Sequence, residues 1–280
     1  MALAVMGASV NAMWKPIALC VLLLAPTALP ARAARAPLSQ DPKPAENKEP
    51  DKRPEVADLL AKLKTMIDDR KGEKDIDAIG VIDQLVPQFP KSGPKDRVAI
   101  VTALSKCFEV RRLVKEGDPP NNKLYMASAV ALSTMAPEST KELLKWIGQK
   151  DLKKDQALQT RLVDSLGKTK DKEALKPLQD LLNSKDDWMV AAAANALSNF
   201  GEVDLETRKT VFETVLKYLM SARGQTDGNP NDTVARQRYD VIAAPMITAL
   251  QKLSKHDERD PAKWQTWWNK NKRDNWDNPK

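Results

Sequence analysis

Ala131-Leu132-Ser133-Thr134-Met135-Ala136 and Ala196-Leu197-Ser198-Asn199-Phe200-Gly201 carry the same pattern, and Leu162-Val163-Asp164-Ser165-Leu166-Gly167 fills it between them. Leu132 and Val163 are 31 residues apart, and Val163 and Leu197 are 34 apart. Ala249-Leu250-Gln251-Lys252-Leu253 repeats the pattern once more, 53 residues on. The segments just upstream repeat too: Leu144 and Ile147 precede Leu178 and Leu181 by 34 residues. A period in the thirties with two helices per unit marks an α-solenoid, because one hairpin cannot bury both of its faces and must stack on its neighbours.

The apolar spacing agrees. Leu59, Leu60, Leu63 and Ile67 form one helical stripe, and Ile76, Ile79, Ile82 and Leu85 form another. Eleven helices are predicted between residues 55 and 272, among them 95–116, 138–148, 204–222, 232–254 and 261–272. Pro137 suits a first helical turn, and Asp171, Asp204, Asn231 and Asp260 suit N-caps. Pro177 and Pro245 fall inside helices, where each removes one backbone bond; Pro177 should kink its helix, and Pro245 should kink or split the long helix 232–254. Glycine is scarce, 10 in 280, which disfavours a strand-rich fold built on tight turns. No β alternation stands out. The fold class is therefore all-α, an α-solenoid of about five helical hairpins over 55–259.

Asp171 to Gly201, DKEALKPLQDLLNSKDDWMVAAAANALSNFG, resembles a HEAT repeat of the short bacterial type also called phycobilisome-lyase HEAT-like. Ala174, Leu175, Leu178, Leu181 and Leu182 match the first helix of that family, with Pro177 one position late. Val190, Ala193, Ala194, Ala196, Leu197 and Gly201 match the second. The likeness weakens toward both ends of 55–254. The family includes bilin lyases, which leaves a lyase-like enzyme or accessory subunit as an alternative to a non-catalytic scaffold.

Both termini differ from this body. Met13 to Ala36 has a basic start at Lys15, an apolar run from Ile17 to Ala25, and the small-x-small site Ala31-Arg32-Ala33. That layout reads as a signal peptide over 1–33, with Met13 as an alternative start. The run is too short for a membrane span and is followed by Pro26 and Pro30. Cleavage lowers the net charge from +7 to +5 and leaves Cys107 as the single cysteine. The chain is expected to be exported to the periplasm or beyond, with no transmembrane segment in the mature form. Residues 34–54 are rich in Pro and charge and read as a disordered linker. At the far end, Trp264, Trp267 and Trp268 are spaced i, i+3, i+4 and so share one face of a helix in the segment 260–280. An open solenoid end needs an atypical cover, and these three residues read as that cap. Trp276 has no assigned role.

Few residues suggest chemistry. His256, the sole histidine, lies in the charged loop LSKHDERDP and reads as solvated; a metal or general-base role with Asp257 is the alternative. Cys107 sits on an apolar run and reads as core. Asp227, Asn229 and Asn231 mimic a calcium loop, but Asp232 replaces its glycine and Arg238 its bidentate glutamate. No cofactor or catalytic site is expected.

In HEAT proteins the second helices line the concave face, and the resemblance implies the same here. Overlaying the units at the sequence spacings gives one row. It holds Trp188, Asn195 and Asn199, then Lys154, Arg161 and Ser165, then Lys123 and Thr134. The expected function is a scaffold holding a protein partner on this row. A basic module docking on anionic envelope polymer or membrane is another alternative. Nucleic acid is not expected, because the basic residues are interleaved with acids.

Overall fold

The computed structural model describes residues 49–113 and 121–278. The signal peptide read over 1–33 and the linker up to residue 48 lie outside the described residues. Among the described residues there are eleven α-helices, two short 3-10 segments and no strand. They pair as α1 (Pro54–Ile67) with α2 (Asp75–Leu85), α3 (Pro94–Lys106) with α4 (Lys123–Leu132), and α5 (Thr140–Trp146) with α6 (Gln156–Lys168). The next pairs are α7 (Lys172–Leu181) with α8 (Asp187–Leu197) and α9 (Leu205–Gly228) with α10 (Thr233–Ser254). The last helix is α11 (Pro261–Asn271). First helices α1, α3, α5, α7, α9 and α11 pack in one row, and second helices α2, α4, α6, α8 and α10 in another. This is an α-solenoid of five hairpins. Neighbouring second helices touch along more of their length than first helices do, so the row bends with the second helices inside.

Local chemistry sets the boundaries. The carboxylates of Asp155, Asp171, Asp204, Asp232 and Asp260 accept the first free N–H groups of α6, α7, α9, α10 and α11. Several of them also bind the preceding unit. Thr140 Oγ1 donates to Asp171 at 2.7 Å, Asn122 Nδ2 to Asp155 at 2.9 Å, and Lys172 pairs with Asp204 at 3.0 Å. One carboxylate thus caps its own helix and ties it to its neighbour, which gives the period a physical cause. The Thr207 N–H, with Lys172 and the Thr207 hydroxyl, holds Asp204 down at about 2. The stabilisation from this cap is complete above the ordinary carboxylate range and is lost as pH falls through about 2.

Small residues set the closest approach. Ala192, Ala193, Ala194 and Ala196 are all buried, and a Cβ on Gly167 would lie 2.6 Å from the Ala196 Cα. Only glycine at that position lets α6 and α8 meet as they do.

Several expectations are corrected. Residues 49–53 of the expected linker are folded against α3. Asp51 accepts the Lys95 and Asp96 N–H groups at 2.8 and 3.3 Å, and Asp96 accepts those of Lys52 and Arg53 at 2.9 Å each. Helix α3 stops at Lys106 rather than continuing to 116. Beyond it, Arg112 turns inward to Asp75 at the start of α2, with guanidinium-to-carboxylate distances of 2.8 to 3.2 Å, and also donates to the Ile67 carbonyl at 3.0 Å. Helix α5 starts at Thr140, after Pro137. Helix α9 runs on to Gly228, so Asp227 lies in its last turn, paired with Arg223 at 3.2 Å. The cap of α10 is Asp232, not Asn231, and α10 continues unbroken past Pro245.

At the C-terminal end Phe212 of α9 stands among four indoles. Its ring centroid lies 5.7, 5.4, 5.2 and 5.3 Å from those of Trp264, Trp267, Trp268 and Trp276. Trp264, Trp268 and Trp276 are buried, and Trp267 is half-buried. His256 is not simply solvated: it stacks on Trp267 at 5.1 Å and meets Trp264 edge-on at 5.6 Å. Trp276 gains a position here too. Its Nε1 donates to the Asn271 carbonyl at 2.9 Å, and the next residue, Asp277, pairs with the buried Arg208 of α9. The tail therefore folds back over α9 and locks α11 in place.

Candidate functional site

The second-helix face carries a groove across α2, α4, α6 and α8. Two cavities make it up. One, of about 620 Å³, is lined by Met126, Ala157, Thr160, Arg161, Ala192 and Asn195 among others. The other, of about 490 Å³, is lined by Asp83, Met126, Ala127, Val130, Thr134 and Arg161 among others. Met126 and Arg161 line both, so the cavities adjoin.

The floor is small and uncharged for a reason visible in the helices. Each of α4 and α8 carries a single charged residue, Lys123 and Asp187, both at the helix start. By contrast the first helix α7 carries Lys172, Glu173, Lys176 and Asp180. The contrast holds for α4 and α8; α6, between them, brings Arg161, Asp164 and Lys168 to the same face. Val130 remains 48 % exposed on the groove floor.

Arg161 stands at the centre. It lies 3.6 Å from Asp164, whose carboxylate is held more closely by Lys168 at 2.8 Å. Asp83, at the α2 side, forms no ion pair among the described residues. The groove therefore presents the under-used Arg161, the Asp164 carboxylate held by Lys168, and the unpaired Asp83 over a largely apolar floor.

Of the row expected from sequence, the structure brings Thr134, Arg161 and Asn195 together along the groove. Trp188 is half-buried and packs against the core. Lys123 is exposed at the first turn of α4, and Asn199 donates to the Ala196 carbonyl at 3.2 Å; neither lines a cavity. Two members of the row are corrected. Ser165 is 1 % exposed and faces inward. Lys154 precedes α6 and lines a different depression, with Asp151 and Asp155.

The cause is a slip of register. Exposed positions recur at 34 from α4 to α6: Met126 with Thr160, Val130 with Asp164, Thr134 with Lys168. They recur at 31 from α6 to α8: Thr160 with Ala191, Asp164 with Asn195, Lys168 with Asn199. These are the sequence spacings in reverse order. A three-residue slip rotates a helical stripe by about 60°, enough to exchange the exposed Lys168 for the buried Ser165. The residues missed, Met126, Ala127, Val130, Ala157 and Ala192, are small or apolar and carry no polar signal that a search for binding side chains would find.

Other chemistry is sparse. Cys107 is fully buried, and burial pushes its thiol up to about 11. Among the described residues no three of His, Cys, Asp and Glu converge as a metal site, and no helix is long and apolar enough to cross a membrane.

Residues 110–198 and 140–217 match the family model of HEAT repeats. No curated protein and no solved structure matches the chain.

Proposed function

We propose that this α-solenoid, with HEAT repeats over its central hairpins, is an exported, non-catalytic scaffold that binds a protein partner in the groove of its second helices. HEAT repeats commonly serve as protein-interaction scaffolds, and the observation that carries the reading here is the groove itself. A chain with 30 % charged residues leaves adjoining cavities on one face of α4, α6 and α8, lined mostly by small and apolar side chains around Arg161. Such a strip suits partner side chains better than water. The titratable residues in the groove lining are Asp83, Arg161 and Asp164, and the lining offers no His, Cys, Lys or Tyr as a base or nucleophile. Export is read from the leader-like segment Met13 to Ala36, and N-terminal sequencing of the mature chain tests it. We also assign the repeats to the short HEAT-like type, on the pattern of Asp171 to Gly201.

Ala157 is exposed on the groove floor, so a large side chain there fills the first cavity without disturbing the core. Affinity capture from envelope extract should return one dominant protein with the native chain and lose it with Ala157→Trp, while helicity stays unchanged. Equal capture by both chains would contradict the reading.

A further inference from the structure

The geometry points to the chemistry of the partner: a protein segment that presents a carboxylate to Arg161 and a basic side chain to Asp83, with aliphatic side chains between them. This inference rests on the partner-binding reading above and adds the identity of the groups recognised.

Arg161 and Asp83 line the same cavity from α6 and α2, with Met126, Ala127 and Val130 of α4 between them. Arg161 makes no hydrogen bond among the described residues; its one ion pair is the 3.6 Å contact to Asp164. Lys168 is the nearer partner of that carboxylate, at 2.8 Å. A guanidinium offers five donors in a planar fork, suited to two-pronged contact with a carboxylate. Arg161 has those donors to spare and sits over an apolar floor, where partial desolvation strengthens an ion pair. Asp83 offers the opposite charge. A uniformly acidic or uniformly basic polymer would set one of its own charges against a like charge here, so the groove selects a segment with both signs.

Spacing follows from helix packing. Adjacent helices pack about 8–10 Å apart, so α2 and α6 are separated by roughly 16–20 Å, about five or six residues of extended chain. The long Arg161 side chain shortens that span by about a residue. The expected segment therefore has a basic and an acidic residue about four to six apart, with aliphatic side chains between them seated over Val130 and Met126.

The test is selection of short random peptides displayed against the full mature chain, with Ala157→Trp as counter-selection. Surviving peptides should share the basic–aliphatic–acidic pattern. A synthetic consensus peptide should lose about tenfold or more in affinity for Arg161→Glu, and regain most of it when its own acidic residue becomes lysine. Circular dichroism of Arg161→Glu checks that the exposed substitution leaves the fold intact. If peptides bind, Ala157→Trp blocks them and Arg161→Glu leaves affinity unchanged, the charge recognition is wrong and the groove reading stands. If no selected peptide is sensitive to Ala157→Trp, both fail.

Discussion

Phe212→Ala should unfasten the C-terminal end of the solenoid and leave the N-terminal hairpins folded. Phe212 is fully buried and its ring lies within 5.7 Å of four indole centroids. Truncating such a ring removes its own burial and opens a cavity, at a cost of about 3–5 kcal/mol. The surrounding rings cannot close the gap easily, because each is already fixed. Trp268 and Trp276 pack edge-on at 6.0 Å, Trp267 stacks on His256, and the Arg208–Asp277 pair anchors the tail. In a solenoid each unit draws its stability from its neighbours, so the loss should stay local and appear as an early transition. Of the seven tryptophans, four stand in this cluster, so fluorescence reports it directly. The expected result is a red-shifted emission and a low-temperature step that leaves most of the helical signal intact. A single transition at the native midpoint with unshifted emission would contradict the cap.

Arg112→Ala should cost a similar amount at the other end of the molecule. The Arg112 and Asp75 side chains are 2 % and 3 % exposed and meet at 2.8 Å. Arg112 also donates to the Ile67 and Val110 carbonyls at 3.0 and 3.3 Å, and its backbone N–H donates to the Tyr125 hydroxyl at 3.1 Å. The pair thus joins the end of α1, the start of α2, the segment after α3 and the first turn of α4. Removing the guanidinium leaves a buried carboxylate whose side-chain donor is Asn121 Nδ2 at 3.3 Å. Breaking a buried pair from one side costs about 3–5 kcal/mol, whereas replacing both members by apolar groups of similar volume is often nearly neutral. Urea unfolding should therefore show a large loss for Arg112→Ala and for Asp75→Ala. The double variant Arg112→Met/Asp75→Leu should recover much of it. Single variants within about 0.5 kcal/mol of the native chain would show that the pair does not hold this junction.

The solenoid can be read from the sequence because its signals are local. Apolar periodicity, capping aspartates and the recurrent small residues around Gly167 and Gly201 each act within a helix or between successive units. The cap is partly readable for the same reason, since Trp264, Trp267 and Trp268 lie on one helix. Phe212 and Trp276 are not, because their contacts depend on α9 meeting the folded-back tail. Arg112 and Asp75 are 37 residues apart, each in a charged stretch, so neither announces that it is buried. The groove was half readable. Thr134, Arg161 and Asn195 are legible, but the helix-end matches give the two repeat spacings in the wrong order, which puts Ser165 and Lys154 on the face in place of Lys168 and Ala157. Identity matching at the helix ends does not resolve a three-residue shift; exposure of whole stripes does.

The central claim is that the second-helix face, not the charged outer face, meets a partner. A photo-reactive residue at Thr160, on the floor of the first cavity, compared with the same residue at Lys176 on the outer surface of α7, tests it most directly. The account predicts a cross-link to one partner protein from position 160 and none from 176. Cross-linking from 176 alone, or from neither position, would contradict it.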